Sequence, residues 1–289
     1  MSSRQPLESP VQEIIASCHA LAAEAFGSRL RGLYLLGSLA HGDFAPAVSD
    51  LGVALFLAAP LAAHDAEQIA AVMAYCDAAH PAYARRLSLF WGTVEDFDDA
   101  DAVQIPGRFP ALDRLDLVEH GRYIAGEALR AALTPPSRAA VLEHCRQDLP
   151  RFVRDPARYG FLTGGAELDT GDRRSLTRLC LFPARFLYTA QTGAVVSNDA
   201  AAAAYCAAHH EEACGDIVTL ALALRHDPSR TLSEADRELL TTELRPYYGR
   251  FLREFLALLG APAPAPDATI PLLLAAIDEA AAPDRTEHD

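Results

Sequence analysis

The chain has 289 residues, of which 51% are hydrophobic, and it carries a formal net charge of −14 at pH 7. All 25 of its Lys and Arg positions are Arg. An acidic chain repels a phosphate backbone, which argues against general nucleic-acid binding. This length and composition predict a globular protein with one large or two ordinary domains.

Sequence features at the N-terminus and at the cysteines predict a soluble cytoplasmic protein without membrane contact. The first residues, MSSRQPLESP, contain no apolar stretch of the kind found in secretory signals. No apolar run approaches the roughly 18 residues that a membrane helix requires. None of the six Cys residues forms a CxxC pair, which argues against a cysteine zinc site. Most of them lie in apolar helical context, as reduced core cysteines do.

The N-terminal part of the chain alternates helical and strand patterns. Ser9 followed by Pro10 predicts a helix start, and Gly27 predicts its end. Strands are predicted at 33–36, 51–57 and 86–91, and a further helix at 65–79. Residues 1–134 are therefore predicted to form a domain with a mixed sheet and helices.

From the break at Pro135-Pro136 onward the pattern is helical. Ser137 is the expected cap of a helix that runs to Arg154. Further helices are predicted at about 172–192, 198–208, 211–226, 233–259 and 268–282. Pro183 and Pro246 are expected to kink these helices or end a turn, and the Ala-Pro alternation at 261–266 predicts an extended linker. Residues 135–289 are thus predicted to be an all-α bundle, which gives an α+β protein overall.

Residues 33–56, LYLLGSLAHGDFAPAVSDLGVALF, read as a strand, a Gly37-Ser38 turn, a polar excursion and a second strand. A Gly in such a turn lets backbone N–H groups approach a phosphate, because it has no side chain to obstruct them. Asp50 begins the second strand, and residues i and i+2 of a strand point the same way, so a carboxylate at position 52 would complete a two-metal site. Gly52 stands there instead. The alternative is a turn whose glycines serve geometry alone.

With these residues the chain resembles the nucleotidyltransferase superfamily, and within it the aminoglycoside adenylyltransferases that modify streptomycin and spectinomycin. A second local match is TRLCLFPARFLYTAQTGAVVSNDAAAAAYC, residues 177–206. The resemblance implies a nucleotidyltransferase-like mixed sheet with helices, followed by a helical domain. It also implies transfer of AMP from ATP, with Mg²⁺, to a hydroxyl of a small molecule bound between the two domains.

The resemblance also implies roles for individual residues. Gly37, Ser38 and Arg185 match positions that contact the nucleotide, and Asp50 matches the first metal carboxylate. His41 lies in the same turn, where it is either a phosphate contact or proton shuttle, or an exposed turn residue.

Three expected residues of the family are missing. Gly52 replaces the second metal carboxylate, Ser88 replaces the catalytic Glu, and Asn198 replaces a phosphate-binding Lys. One carboxylate cannot easily hold two Mg²⁺ ions and also serve as a base. We therefore expect a nucleotide-binding or regulatory pseudo-enzyme with weak or lost transferase activity.

Two alternatives stay open. The first is an active transferase with relocated metal ligands, for which Asp43, Glu95 and Asp96 are the nearby acids. Glu95 and Asp96 are otherwise interpreted as first-turn acids of a helix. The second alternative is a protein-interaction module that retains only the fold.

Three further patterns allow two interpretations each. Residues 209–212, HHEE, lack the i, i+4 spacing of a zinc helix, which favours a solvated helix junction over a metal site. Trp91 is predicted to pack in a core rather than to stack on a base. Arg174, Arg178 and Arg185 share a helical face, either as a basic wall toward an anionic ligand or as a solvated face paired with acids.

Overall fold

The structure, a computed structural model, describes residues 9–98, 108–209, 214–260 and 269–281. The chain divides into two compact units, Met1–Ala140 and Val141–Asp289. Within the described residues the first unit combines a mixed sheet with helices, and the second is built from helices. The predicted α+β fold class is confirmed. None of the described helices is long and apolar enough to cross a membrane.

The first unit is built around a four-stranded sheet. Its elements are α1 (Ser9–Phe26), β1 (Leu30–Leu36), α2 (Ser38–His41), β2 (Leu51–Leu57), α3 (Asp65–Ala79), β3 (Leu87–Gly92), α4 (Val94–Asp98), α5 (Ala111–His120) and β4 (Arg122–Gly126). The strand order is β3-β2-β1-β4. β1 runs antiparallel to both β2 and β4, whereas β2 and β3 are parallel. The predicted mixed sheet is therefore confirmed.

Successive side chains of a strand point to opposite faces, so each face of the sheet supports its own core. One face packs against α1 and α3, and its strand residues include Leu33, Val53 and Leu89. The other face contributes Leu36 and Phe56 to a core that also contains residues of α4 and α5, among them Phe97 and Leu117. α5 is thereby held against the face that carries Leu36, next to the end of β1.

The second unit consists of helices in the described residues. They are α6 (Arg138–Val153, which begins at the end of the first unit), α7 (Pro156–Leu162), α8 (Arg173–Thr192), α9 (Asn198–Ala208), α10 (Cys214–His226), α11 (Glu234–Leu259) and α12 (Thr269–Ala281). α8 and α11 pack through Phe182, Phe186 and Phe251. The predicted cap Ser137 accepts a hydrogen bond from the Ala140 N–H at 3.2 Å, and Ser197 and Ser233 cap α9 and α11.

Several elements differ from the sequence prediction. The elements that were not predicted are α2, β4, α5 and α7. Pro183 and Pro246 lie inside α8 and α11 and end neither helix. The predicted linker at 261–266 lies outside the described residues.

Candidate functional site

The Gly37-Ser38 turn connects β1 to the short helix α2. Gly37 has φ of 59° and Gly42, which follows α2, has φ of 81°. A Cβ at either position would meet no atom within 4 Å, so the left-handed backbone, and not lack of space, is what favours glycine here. The turn is closed by the N–H groups of Ala40 and His41, which both donate to the Gly37 carbonyl at 2.9 Å.

Arg86 holds the polar segment that precedes β2, through contacts with Pro46 and Ser49. Its Nε donates to the Ser49 carbonyl at 2.9 Å and its Nη1 to the Pro46 carbonyl at 2.6 Å. The Ser49 hydroxyl in turn accepts from the Ala45 N–H at 2.9 Å. These contacts fix the backbone that leads into Asp50, which is half-buried just before β2.

Gly52 and Ser88 are neighbours in the sheet. They are Cα partners on the parallel strands β2 and β3, and Gly52 also pairs with Leu36, the last residue of β1. By alternation, both positions face the side of the sheet that carries Leu36 and α5. Two side chains from these positions would meet next to the Gly37 turn. Neither residue has a carboxylate.

A carboxylate does reach the turn, and it comes from α5. Asp116 Oδ2 accepts a hydrogen bond from the Gly37 N–H at 2.6 Å, and its Oδ1 lies 2.5 Å from His41 Nε2. The His120 ring lies beside the His41 ring, with 4.3 Å between the ring centroids. His41, Asp116 and His120 therefore form one cluster, in which potential ligand atoms all lie within 4.8 Å of one another.

The three side chains of the cluster differ in their exposure to solvent. The side chains of His41 and Asp116 are 8% and 10% exposed, and that of His120 is 35% exposed. The interpretation of His41 as an exposed turn residue is therefore wrong, because α5 covers it. Each oxygen of this buried carboxylate has a polar partner, the Gly37 N–H for Oδ2 and the His41 imidazole for Oδ1, as buried polar groups normally do.

Sequence reasoning did not identify Asp116 and His120. They are separated from Gly37 by 79 residues or more, and no local motif connects the two segments. The sequence does show that Asp116 and His120 have i, i+4 spacing, which puts an acid and an imidazole on one face of a helix.

Three acids, Asp43, Glu95 and Asp96, were considered as substitute metal ligands. Asp96 forms a capping box with Thr93, whose N–H and hydroxyl both donate to Asp96 Oδ2 at 2.9 Å. Burial opposes ionisation of Asp96, but hydrogen bonds from Thr93 and Arg108 hold its pKa below the usual range. Glu95 is exposed in the same turn of α4, and Asp43 is half-buried after α2. The interpretation of Asp96 as a first-turn acid fits this geometry.

Trp91, Arg185 and His209 also have defined surroundings. Trp91 is 6% exposed in the core under α1 and α3, with the Arg108 guanidinium 5.1 Å from its ring centroid. Arg185 is exposed on α8, on the same face as Arg178. His209 stacks on Tyr205 and lies 2.8 Å from the Glu254 carboxylate, whereas residues 210–212 lie outside the described range.

Comparisons with known proteins give no family assignment. No family model matches the sequence, and no curated protein matches it. Among solved structures, the chain is similar to a spectinomycin adenyltransferase from Enterococcus faecialis, whose crystal structure was determined with ATP and spectinomycin. The similarity covers 93% of this chain and 98% of that one, at 14% sequence identity and a TM-score of 0.48. At these values the likeness assigns neither a family nor a ligand to this chain.

Proposed function

We propose that the chain is a nucleotide-binding or regulatory protein whose transferase activity is weak or lost. In this proposal residues 1–134 are a nucleotidyltransferase-type domain and residues 135–289 a helical domain. The observation that carries it is the pairing of Gly52 with Ser88 on adjacent strands. The resemblance places two carboxylates at these positions, and the sheet supports that placement because the two residues are direct neighbours.

The missing carboxylates matter because of how nucleotidyl transfer works. Negative charge develops on phosphoryl oxygens, and two metal ions stabilise it while aligning the attacking and leaving oxygens. Asp50 is the one acid left of the expected set. A single carboxylate, together with substrate phosphates, suffices to hold one Mg²⁺. ATP binding, with or without one Mg²⁺, is therefore compatible with the remaining residues, whereas the complete two-metal clamp is not.

Four residues are proposed to contact the nucleotide. Gly37 and Ser38 form the turn at the end of β1, and His41 lies at the end of α2. Arg185 is exposed on α8 in the helical unit, where a guanidinium is suited to bidentate contact with a phosphate.

Titration calorimetry of the full-length protein with ATP tests this proposal. We expect Arg185→Ala to weaken ATP binding by about 10-fold or more, because a charge-assisted hydrogen bond is lost. Arg151→Ala is the control, since it removes an exposed Arg of another helix of the same unit, α6, and it should leave the affinity nearly unchanged. Absence of binding at millimolar ATP would refute the proposal.

One observation favours the second candidate, an active transferase with relocated metal ligands. The cluster of His41, Asp116 and His120 brings three potential ligands to the Gly37 turn. In such an enzyme a metal held there would replace part of the missing clamp. Pyrophosphate release from ATP over a panel of small hydroxylated acceptors tests this candidate. Release that disappears in Asp116→Asn would support it, and no release with any acceptor would eliminate it.

A further inference from the structure

We propose that His41, Asp116 and His120 bind a divalent transition-metal ion of the Zn²⁺ class. This inference does not depend on nucleotide binding. Within the part of the chain that the structure describes, these three residues are the one group of three or more potential metal ligands whose atoms lie within 4.8 Å of one another.

The fold holds the proposed ligands from two directions. Asp116 and His120 lie one helical turn apart on α5, so their side chains project from the same face. His41 comes from a different element, α2. α5 is anchored by Leu117, which is fully buried in the core beneath it. The three side chains thus converge because of packing that is independent of any metal.

The Asp116 carboxylate is oriented as metal-binding carboxylates commonly are. One oxygen, Oδ2, accepts the Gly37 N–H at 2.6 Å, and this leaves Oδ1 directed at His41 Nε2, 2.5 Å away. Hydrogen bonds from groups that do not themselves bind the metal, such as the Gly37 N–H, fix the orientation of ligating side chains and tune their affinity for metal. The Glu119 carboxylate lies 3.6 Å from His120 Nε2 and brings a further acid next to the same ring.

The types of donor atoms select the metal. Imidazole nitrogen suits Zn²⁺, Cu²⁺, Ni²⁺ and Fe²⁺, whereas Mg²⁺ prefers a shell of oxygen atoms. Zn²⁺ binds His nitrogen and carboxylate oxygen at about 2.0–2.2 Å, which separates the ligand atoms of a tetrahedral site by about 3.3–3.6 Å. The distance between His41 Nε2 and Asp116 Oδ1, now 2.5 Å, has to lengthen by about 1 Å to reach that geometry. A site with two imidazoles and one carboxylate therefore differs in kind from a two-Mg²⁺ site.

The proposed site is accessible from one side. His41 and Asp116 are nearly covered, whereas about a third of the His120 side chain is exposed. Three protein ligands leave a fourth position for water or for an anionic ligand, as in zinc sites that are not purely structural. The competing explanation is a hydrogen-bonded His–Asp–His network that contains no ion.

Competition titration with a chromogenic chelator distinguishes these explanations. The full-length protein is stripped of metal and titrated with Zn²⁺, and visible absorption is recorded separately with Co²⁺. We expect one Zn²⁺ per chain and the ligand-field bands of a four- or five-coordinate Co²⁺ ion. Excess Mg²⁺ should not displace either ion.

His120→Ala is the main variant, because His120 is the most exposed ligand and its loss disturbs packing least. We expect it to weaken Zn²⁺ binding by about 100-fold or more, since loss of an outer-shell partner alone typically costs about 10–100-fold. Asp116→Asn is the second variant, because its amide oxygen can still accept the Gly37 N–H. The control is His226→Ala, which disrupts a His–carboxylate pair formed with Asp199 at 2.7 Å. No stoichiometric Zn²⁺ binding by the wild type, or Zn²⁺ binding that is unchanged in His120→Ala, would overturn the proposal.

Discussion

Asp116 accepts a hydrogen bond from the Gly37 N–H at 2.6 Å and so joins α5 to the turn at the end of β1. The Gly37 N–H therefore already has an acceptor within the protein, so a nucleotide phosphate would have to displace Asp116 from it or contact other groups of the turn. The same carboxylate holds His41 through its other oxygen. The organisation of the turn thus depends on a residue far away in the sequence.

We expect Asp116→Ala to destabilise the first unit by about 1–3 kcal/mol, because it leaves the Gly37 N–H and the His41 ring without their acceptor. Asp116→Asn should cost less, since its amide oxygen can still accept the Gly37 N–H. Urea unfolding followed by the fluorescence of Trp91 measures this, because Trp91 is the one Trp of the chain and lies in the first unit. Equal stability of Asp116→Ala and the wild type would contradict the assigned hydrogen bonds.

Restoring the two carboxylates tests the assignment of Gly52 and Ser88. We expect the double variant Gly52→Asp with Ser88→Glu to gain Mg²⁺ affinity over a control with Gly52→Asn and Ser88→Gln, which has similar shape but no charge. Both should lose stability, by about 1–3 kcal/mol, because a Cβ at Gly52 would lie 3.2 Å from Leu36 Cβ. Equal Mg²⁺ affinity in the two double variants would show that these positions do not form a metal site.

Acid should remove the stabilisation that the Arg29–Asp65 ion pair provides. Arg29 donates to both Asp65 oxygens, at 2.8 Å and 2.6 Å, and this holds the pKa of Asp65 below its usual range. A lowered pKa in the folded state means that the contribution is complete above the unfolded pKa of about 3.9 and is lost as the pH falls through the folded value.

The comparison with Asp65→Asn measures this effect. At neutral pH the variant should be less stable by about 1.5–3 kcal/mol, which is typical of hydrogen bonds to a charged group. The difference should shrink as the pH falls below about 4. A stability difference that is independent of pH would contradict the ion-pair explanation.

Alkali should destabilise the second unit through Tyr247 and Tyr248. Their hydroxyls donate to the carbonyls of Cys180 at 3.1 Å and Leu179 at 2.7 Å, and burial raises the pKa of both phenols well above the usual value. Because the folded pKa values are raised, the stabilisation is complete below the unfolded pKa of about 10 and is lost as the pH rises above it.

Tyrosinate absorbance in an alkaline titration tests this expectation. The two phenols should ionise only as the second unit unfolds. In the double variant with Tyr247→Phe and Tyr248→Phe, the increase in tyrosinate absorbance that accompanies unfolding should be smaller. The loss of stability in alkali should also be smaller. Each substitution should cost about 0.5–1.5 kcal/mol near neutral pH, because one hydrogen bond is lost. Ionisation of all nine Tyr residues in the folded protein would contradict the account.

The sequence predicts best the elements whose signals are local. The strand at 51–57 and the helix at 65–79 have the predicted bounds, because the first is a continuous apolar run and the second has clear periodicity. The cap of α11 is readable in the same way, since Ser233 and Asp236 form the capping box that their spacing allows.

Elements that depend on distant partners were not predicted. β4 has a weak apolar pattern and becomes a strand by pairing with β1, where Tyr34 lies opposite Tyr123. Pro183 stays inside α8 because tertiary packing buries it, which outweighs the loss of one backbone donor. In the candidate site, the sequence predicts the Gly37 turn and the absence of carboxylates at Gly52 and Ser88. Asp116 and His120 could not be placed there, since only the fold brings α5 to the turn.

We propose that the chain binds a nucleotide without a two-metal carboxylate site. The most direct measurement is an ATP titration of the full-length protein by calorimetry, performed once with EDTA and once with Mg²⁺. The account predicts saturable binding of one ATP per chain under both conditions. No binding at millimolar ATP under either condition would contradict it.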